Sequence, residues 1–138
     1  MDVKLKQCFI AVDDFDKALA FYVEALGLEV RNDVSFEDMR WVTVASPLQP
    51  DVEIVLEPPG ADPDLSPADR EAMARLLAKG VLRGVNFSTA DCDALYRRVQ
   101  EAGWDVLQEP MDQPWGVRDC AIRDPSGNLL RFSERRDG

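Results

Sequence analysis

At 138 residues, 46% apolar and 30% charged, the chain has the length for one globular domain and none for a second large one. Its 26 acids against 16 bases leave a formal net charge of −10, which argues against nonspecific nucleic-acid binding, since phosphate contacts need a basic face. Histidine is absent, so Ser-His-Asp triads, Cys-His nucleophiles and HExxH zinc sites are excluded. Cys8, Cys92 and Cys120 show no CxxC spacing and read as reduced core thiols rather than a disulfide framework or zinc site. The longest uncharged stretch, Trp41 to Pro50, holds two prolines and falls short of the roughly 20 apolar residues a membrane-spanning helix needs. The N-terminus lacks the pattern of a signal peptide, and the expectation is a soluble, cytoplasmic protein.

Alternating Cys8, Ile10 and Val12 predict a first strand over 4–12, with Gln7, Phe9 and Ala11 on its other face. Asp13 or Asp14 caps a helix carrying Phe15, Leu19, Tyr22, Val23 and Leu26 at helical spacing, and Gly27 fits the position past its end. Strand-like stretches follow at 28–34, 39–46 and 52–57, rich in Val and Ile. A proline-rich linker over 58–67 leads to a helix over 66–79, with Ser66 as cap, Pro67 at the first helical position and Gly80 as the stop. The order resumes with a strand at 82–89, a helix at 91–102, strands at 104–108 and 117–123, a turn at Asp124-Pro125-Ser126-Gly127 and a strand at 128–134.

Both halves therefore read β-α-β-β-β. The repeat also shows in residues: the start of the first helix, Val12 to Leu19, matches Thr89 to Leu95 in polarity, and Ala25 to Val30 matches Glu101 to Val106. The predicted fold is α+β, two βαβββ modules whose curved mixed sheets surround a cleft, in a single domain with module one over 4–57, a linker and extra helix over 58–80, and module two over 82–134. Cys8, Ile10, Val12, Val52, Ile54, Leu56, Leu130 and Phe132 are expected under the helices. Gln7, Phe9, Glu53, Val55, Glu57 and Arg131 fall on the opposite faces, a mix of charge and aromatic surface suited to a ligand.

Four segments, VDDFDKALAFYVEALGLEV at 12–30, MRWVTVASP at 39–47, VEIVLEP at 52–58 and PWGVRDCAIRDPSGNLLRFSE at 114–134, together with the repeat, resemble the vicinal oxygen chelate superfamily of glyoxalases, bleomycin resistance proteins and extradiol dioxygenases. The resemblance implies paired βαβββ modules, a homodimer, and, in the enzymes, a divalent metal on four inward side chains. Carried over residue by residue, those positions fall on Gln7, on Glu53 or Glu57, on Gly84 and on Arg131. Glycine offers no side-chain ligand and a permanently protonated guanidinium repels a cation, so a resident divalent metal is not expected and no metal ligands are assigned. Trp115 sits in a Pro-Trp-Gly turn that resembles the cleft edge of bleomycin-binding members; as a wall of the ligand site or as a buried loop anchor it reads equally well.

Arg131 likewise has two readings: an ion pair with Glu53 or Glu57 across the cleft, or a fork for a carboxylate or phosphate on the ligand. Arg40 and Arg118 read as surface charge, and Asp13, Asp14, Asp91 and Asp93 as helix caps. The expected function is a small-molecule-binding member that holds its ligand in the inter-sheet cleft through Gln7, Phe9, Glu53, Glu57, Trp115 and Arg131, with antibiotic sequestration as its nearest analogy. The alternative is a metal-dependent lyase, isomerase or dioxygenase with a glutamate as base; a third reading is a regulatory module with a vestigial cleft. The expected partners are a small molecule and a second copy of the chain, with neither nucleic acid nor membrane.

Overall fold

The alternation of apolar and polar residues becomes two four-stranded mixed sheets in the computed structural model, which describes residues 1–135. The chain divides into one unit over Met1–Ala74 and a second from Arg75 onward. In the first unit the strands are β1 (Gln7–Ala11), β2 (Glu29–Phe36), β3 (Met39–Ala45) and β4 (Glu53–Glu57), in the order β1-β4-β3-β2. The second unit repeats the order with β5 (Arg83–Thr89), β6 (Val106–Asp112), β7 (Arg118–Arg123) and β8 (Leu129–Glu134), as β5-β8-β7-β6. Each sheet thus begins with a parallel pair, β1 on β4 and β5 on β8, and continues antiparallel.

Register decides which residues share a face, because directly paired residues point the same way. In the first sheet Ile10, Leu56 and Val42 form one row and Cys8, Ile54 and Val44 another. All but Cys8, which is half-buried, are core residues, as the alternation predicts. Helix α1 (Phe15–Leu19) lies on that face: Arg40, two residues before Val42 on β3, reaches Asp16 and stacks its guanidinium 5.2 Å from the Phe15 ring. Asp14 caps α1 by accepting from the Lys17 amide at 3.0 Å.

The helix predicted to run to Leu26 changes pitch midway. After Leu19 it continues as a π-helical segment over Ala20–Ala25, with the Leu26 amide donating to the Phe21 carbonyl. The wider turn turns two successive large side chains inward: Phe21 and Tyr22 are both fully buried, their rings edge to face at 5.0 Å.

In the second unit α3 (Cys92–Glu101) covers the face that carries Phe132, Cys120, Leu130 and Ile122. Asp91 caps it, accepting from the Ala94 amide. Asp93, expected to cap as well, instead makes a two-pronged bond to Arg118 at 2.8 and 2.9 Å. Arg118 also meets Asp112, and Arg40 of the first unit meets Asp33 and Asp16 in the same way. Arg40 and Arg118 are therefore not loose surface charge; each ties the first turn of its helix to two strands. The Arg40 hydrogen bonds hold Asp33 below the usual carboxylate range, and those of Arg118 do the same for Asp93.

Strand β6 runs to Asp112, beyond the predicted end at 108, despite Pro110. It is an edge strand, and its register shifts between Gln108 and Met111, so the missing N–H falls where no ladder bond is required. The inserted helix α2 (Pro67–Lys79) buries Leu77. Its Leu77 carbonyl packs against Gly127 in the β7–β8 turn, where a Cβ would collide with that carbonyl and where φ is +116°. The turn is wound on Asp124, whose Oδ1 accepts from the amides of Ser126, Gly127 and Asn128 at 2.8–3.0 Å.

Gly127 and Gly103 both have positive φ, but only Gly127 meets backbone. Gly127→Ala is therefore expected to destabilise by more than about 2 kcal/mol and Gly103→Ala by about 1 kcal/mol. Urea unfolding of the two variants measures the difference.

Candidate functional site

The sheet faces left uncovered by each unit's own helix carry the polar residues singled out from the sequence. On the first sheet Gln7 pairs with Glu53, Phe9 with Val55 and Ala11 with Glu57. The antiparallel ladder extends these rows through Thr43, beside Val55, to Asn32, whose amide donates to the Thr43 hydroxyl at 2.9 Å. Trp41 lies two residues from Thr43 on the same face and pairs with Val34, and Met39 pairs with Phe36. Glu53 stands directly beside Gln7, while Glu57 lies four residues further along β4. Burial raises the Glu57 carboxyl above its ordinary value. Phe9 is 57% exposed, a large apolar ring held open to solvent among carboxylates and an amide.

On the second sheet the register places Asn86, not Gly84, beside Arg131. The shift between Arg83 and Asn86 in β5 moves the alternation, and a Cβ at Gly84 would point at the Leu130 side chain. Arg131 in turn lies next to Ala121, and Ala121 next to Gln108. Asp119 belongs to the same face, two residues before Ala121, and is almost completely buried.

Asp119 is the residue that reading the sequence missed. Its Oδ1 accepts from the Gln108 and Gln113 amides, both at 2.9 Å, and its Oδ2 lies 3.3 Å from Arg131 Nη1. The same Nη1 donates to Gln108 Oε1 at 3.0 Å. Burial pushes the Asp119 pKa up, but the two glutamine amides and the guanidinium outweigh it and hold the carboxyl below its ordinary value. Arg131 thus finds a carboxylate within its own sheet, on Asp119, where one of the two readings of the sequence offered Glu53 or Glu57. A charged residue inside the apolar run of β7, on the same face as Arg131, was the available signal.

Trp115 joins the same network through its loop. The Gln113 amide donates to the Val117 carbonyl at 2.7 Å and the Gly116 amide to the Gln113 carbonyl at 3.0 Å, a tight turn with Trp115 near its tip. Gln113 anchors that turn to Asp119. The indole is 70% exposed, so it is not the buried loop anchor that one of the two readings offered.

The donors do not suit the divalent metal of the enzymes that the sequence resembles. Gln7 and Glu53 offer an amide oxygen and a carboxylate on one face, whereas Asn86 and Arg131 offer an amide beside a fixed cation on the other. Asp91, Asp93 and Glu134 have oxygens within 4.8 Å of one another. All three already serve the start of α3: Asp91 caps it, Asp93 holds Arg118 and Glu134 accepts from the Cys92 amide. The thiols of Cys92 and Cys120 are raised by burial, which keeps them protonated and inert.

A family model described as Glyoxalase/Bleomycin resistance protein/Dioxygenase superfamily matches residues 4–132. The uncharacterized protein YurT of Bacillus subtilis (strain 168) is 32% identical over 134 residues, 96% of this chain and 100% of YurT. In structure the chain is similar to UcmS2, with a TM-score of 0.86 and 36% identity over 96% of this chain and 98% of that one. It is also similar to TnmS3, an antibiotic binding protein from Streptomyces sp. CB03234, with a TM-score of 0.74 and 29% identity over 98% of each chain.

The Asp119 network gives a signed pH dependence. A carboxyl whose folded pKa lies below its unfolded value stabilises the fold above that unfolded value and ceases to do so as pH falls through the folded one. Asp119→Asn is expected to cost about 2 kcal/mol at pH 7. The gap between variant and parent should persist down to about pH 4 and shrink below it. Urea unfolding of both proteins at stepped pH checks this.

Proposed function

Because the chain belongs to the glyoxalase/bleomycin resistance protein/dioxygenase superfamily, we propose that it is a small-molecule-binding member without a resident metal. The ligand is held on the open sheet faces by Gln7, Phe9, Glu53, Glu57, Trp115 and Arg131. The observation that carries this reading is the bonding of Arg131. A guanidinium tied to a buried carboxylate stands at the position onto which the sequence resemblance carries a metal ligand of the enzymes, while Phe9 and Trp115 present exposed rings. Exposed aromatic surface beside a few fixed polar groups is what small-molecule recognition uses. The likeness to TnmS3, an antibiotic binding protein, supports antibiotic sequestration as the biological role.

A second copy of the chain completes the protein. Val34, Phe36, Met39 and Trp41 lie on one face of the β2–β3 hairpin and are all exposed, with Phe36 and Met39 both at 73%, a contiguous apolar patch of the kind that marks an interaction surface. Free, unpaired cysteines agree with a reducing, cytoplasmic setting, and no helix among the described residues is long and apolar enough to cross a membrane.

An enzymatic reading has one observation in its favour, the raised pKa of Glu57, which suits a general base. It predicts turnover lost on chelation, restored by a divalent ion and abolished in Glu57→Gln.

Isothermal titration against bleomycin-type glycopeptides and other aromatic antibiotics tests the binding reading. Heat is expected with at least one of them, unchanged by EDTA and weakened about tenfold or more in Phe9→Ala and Trp115→Ala. No heat with any of them removes sequestration. For the assembly, light scattering is expected to report a dimer for the parent protein and a monomer for Phe36→Asp/Trp41→Asp.

A further inference from the structure

Beside Arg131 the second sheet holds a small open depression of about 190 Å³, lined by Arg83, Gly84, Asn86, Leu129 and Arg131. Among the described residues no carboxylate lines it, in a chain whose net charge is −10. Arg131 is fixed from behind. Its Nη1 is occupied by Gln108 and Asp119, while Nε and Nη2 make no hydrogen bond to a described residue. Its side chain is 35% exposed against 2% for Asp119, so the pair buries its acid and presents its base. Asn86 stands beside Arg131 in the parallel register, with its side-chain amide uncommitted among the described residues, and Arg83 makes no ion pair with any of them.

Asp119 balances the charge of Arg131, and the positive charge of Arg83 is left over at the rim. A guanidinium whose orientation is already fixed loses little entropy on engaging a planar or tetrahedral oxyanion, and its remaining N–H groups point as a fork. The depression takes such a group and the first ring attached to it, with Leu129 as the apolar contact, and leaves the rest of a drug-sized molecule outside.

We propose that this depression is an oxyanion subsite, in which Arg131, Arg83 and Asn86 receive a carboxylate or phosphate carried by the ligand. The proposal rests on the small-molecule reading above and narrows it to ligands bearing an acidic group. Arg131 is the fork, Arg83 supplies the net attraction, and Asp119, through Gln108 and Arg131, acts as the positioning residue.

Amide NMR titration with three probes of one ring system tests it: 1-naphthoate, 1-naphthyl phosphate and the uncharged 1-naphthamide. At least one acid is expected to bind about tenfold tighter than the amide, with shifts centred on Asn86, Leu129 and Arg131. Which acid does so separates a carboxylate from a phosphate ligand. Removing Arg131 leaves Asp119 buried without its cation, so the deciding variant is Arg83→Gln, at an exposed residue that makes no ion pair with any described residue. It should weaken the acids about tenfold and leave the amide unchanged.

Equal binding of all three probes, or no effect of Arg83→Gln on the acids, overturns the subsite and leaves the small-molecule reading intact. An absence of shifts with every probe also overturns the subsite, while the calorimetric titration against antibiotics decides the wider reading independently.

Discussion

The buried carboxylate of Asp119 organises the open face of the second module. Removing a carboxylate from water is costly unless both its oxygens find donors, and Asp119 meets that demand with Gln108, Gln113 and Arg131. Each of those donors comes from a different element: the edge strand β6, the turn that follows it, and β8. Satisfying one carboxylate therefore fixes the aim of the arginine, the register of an edge strand beyond its proline, and the base of the loop that carries Trp115. Arg131 and the loop of Trp115, both proposed to touch ligand, thus owe their positions to an acid that is itself buried.

Much of the frame was legible from residue order. The Asp-capped helices, the Ser66-Pro67 start of α2, the Asp124-to-Gly127 turn and the alternation that separates Gln7 and Phe9 from Ile10 are local signals, and local chemistry carries them. What escaped was set by register. Asp119 and Arg131 can be assigned to one face from their positions, but their proximity depends on Ala121 standing beside Arg131, which the length of the β7–β8 turn decides. The displacement of Gly84 by Asn86 follows from an irregularity in β5 that no residue pattern announces. The π-helical segment is similar: Phe21 and Tyr22 fit a helical stripe well enough to hide the change of pitch.

The two modules share a frame and differ in what they display. The first sheet shows glutamates, an amide and aromatic rings, and the second shows arginines and an amide. Residues facing the helices answer to packing and stay apolar in both. Those on the open faces differ in charge between the two modules. The overall acidity of the chain consequently says little about any one surface, since the acid excess lies wholly in the first half of the sequence.

The arginine staples give the molecule an internal control. Arg40 grips its strand acid Asp33 with two prongs and its helix acid Asp16 with one, whereas Arg118 grips its helix acid Asp93 with two and its strand acid Asp112 with one. The same three charges thus occur twice in one polypeptide, at the same salt and the same temperature, with only the order of preference exchanged. Double-mutant cycles run in parallel on the two copies would compare the coupling at a helix start with the coupling across a strand pair, each copy serving as the reference for the other.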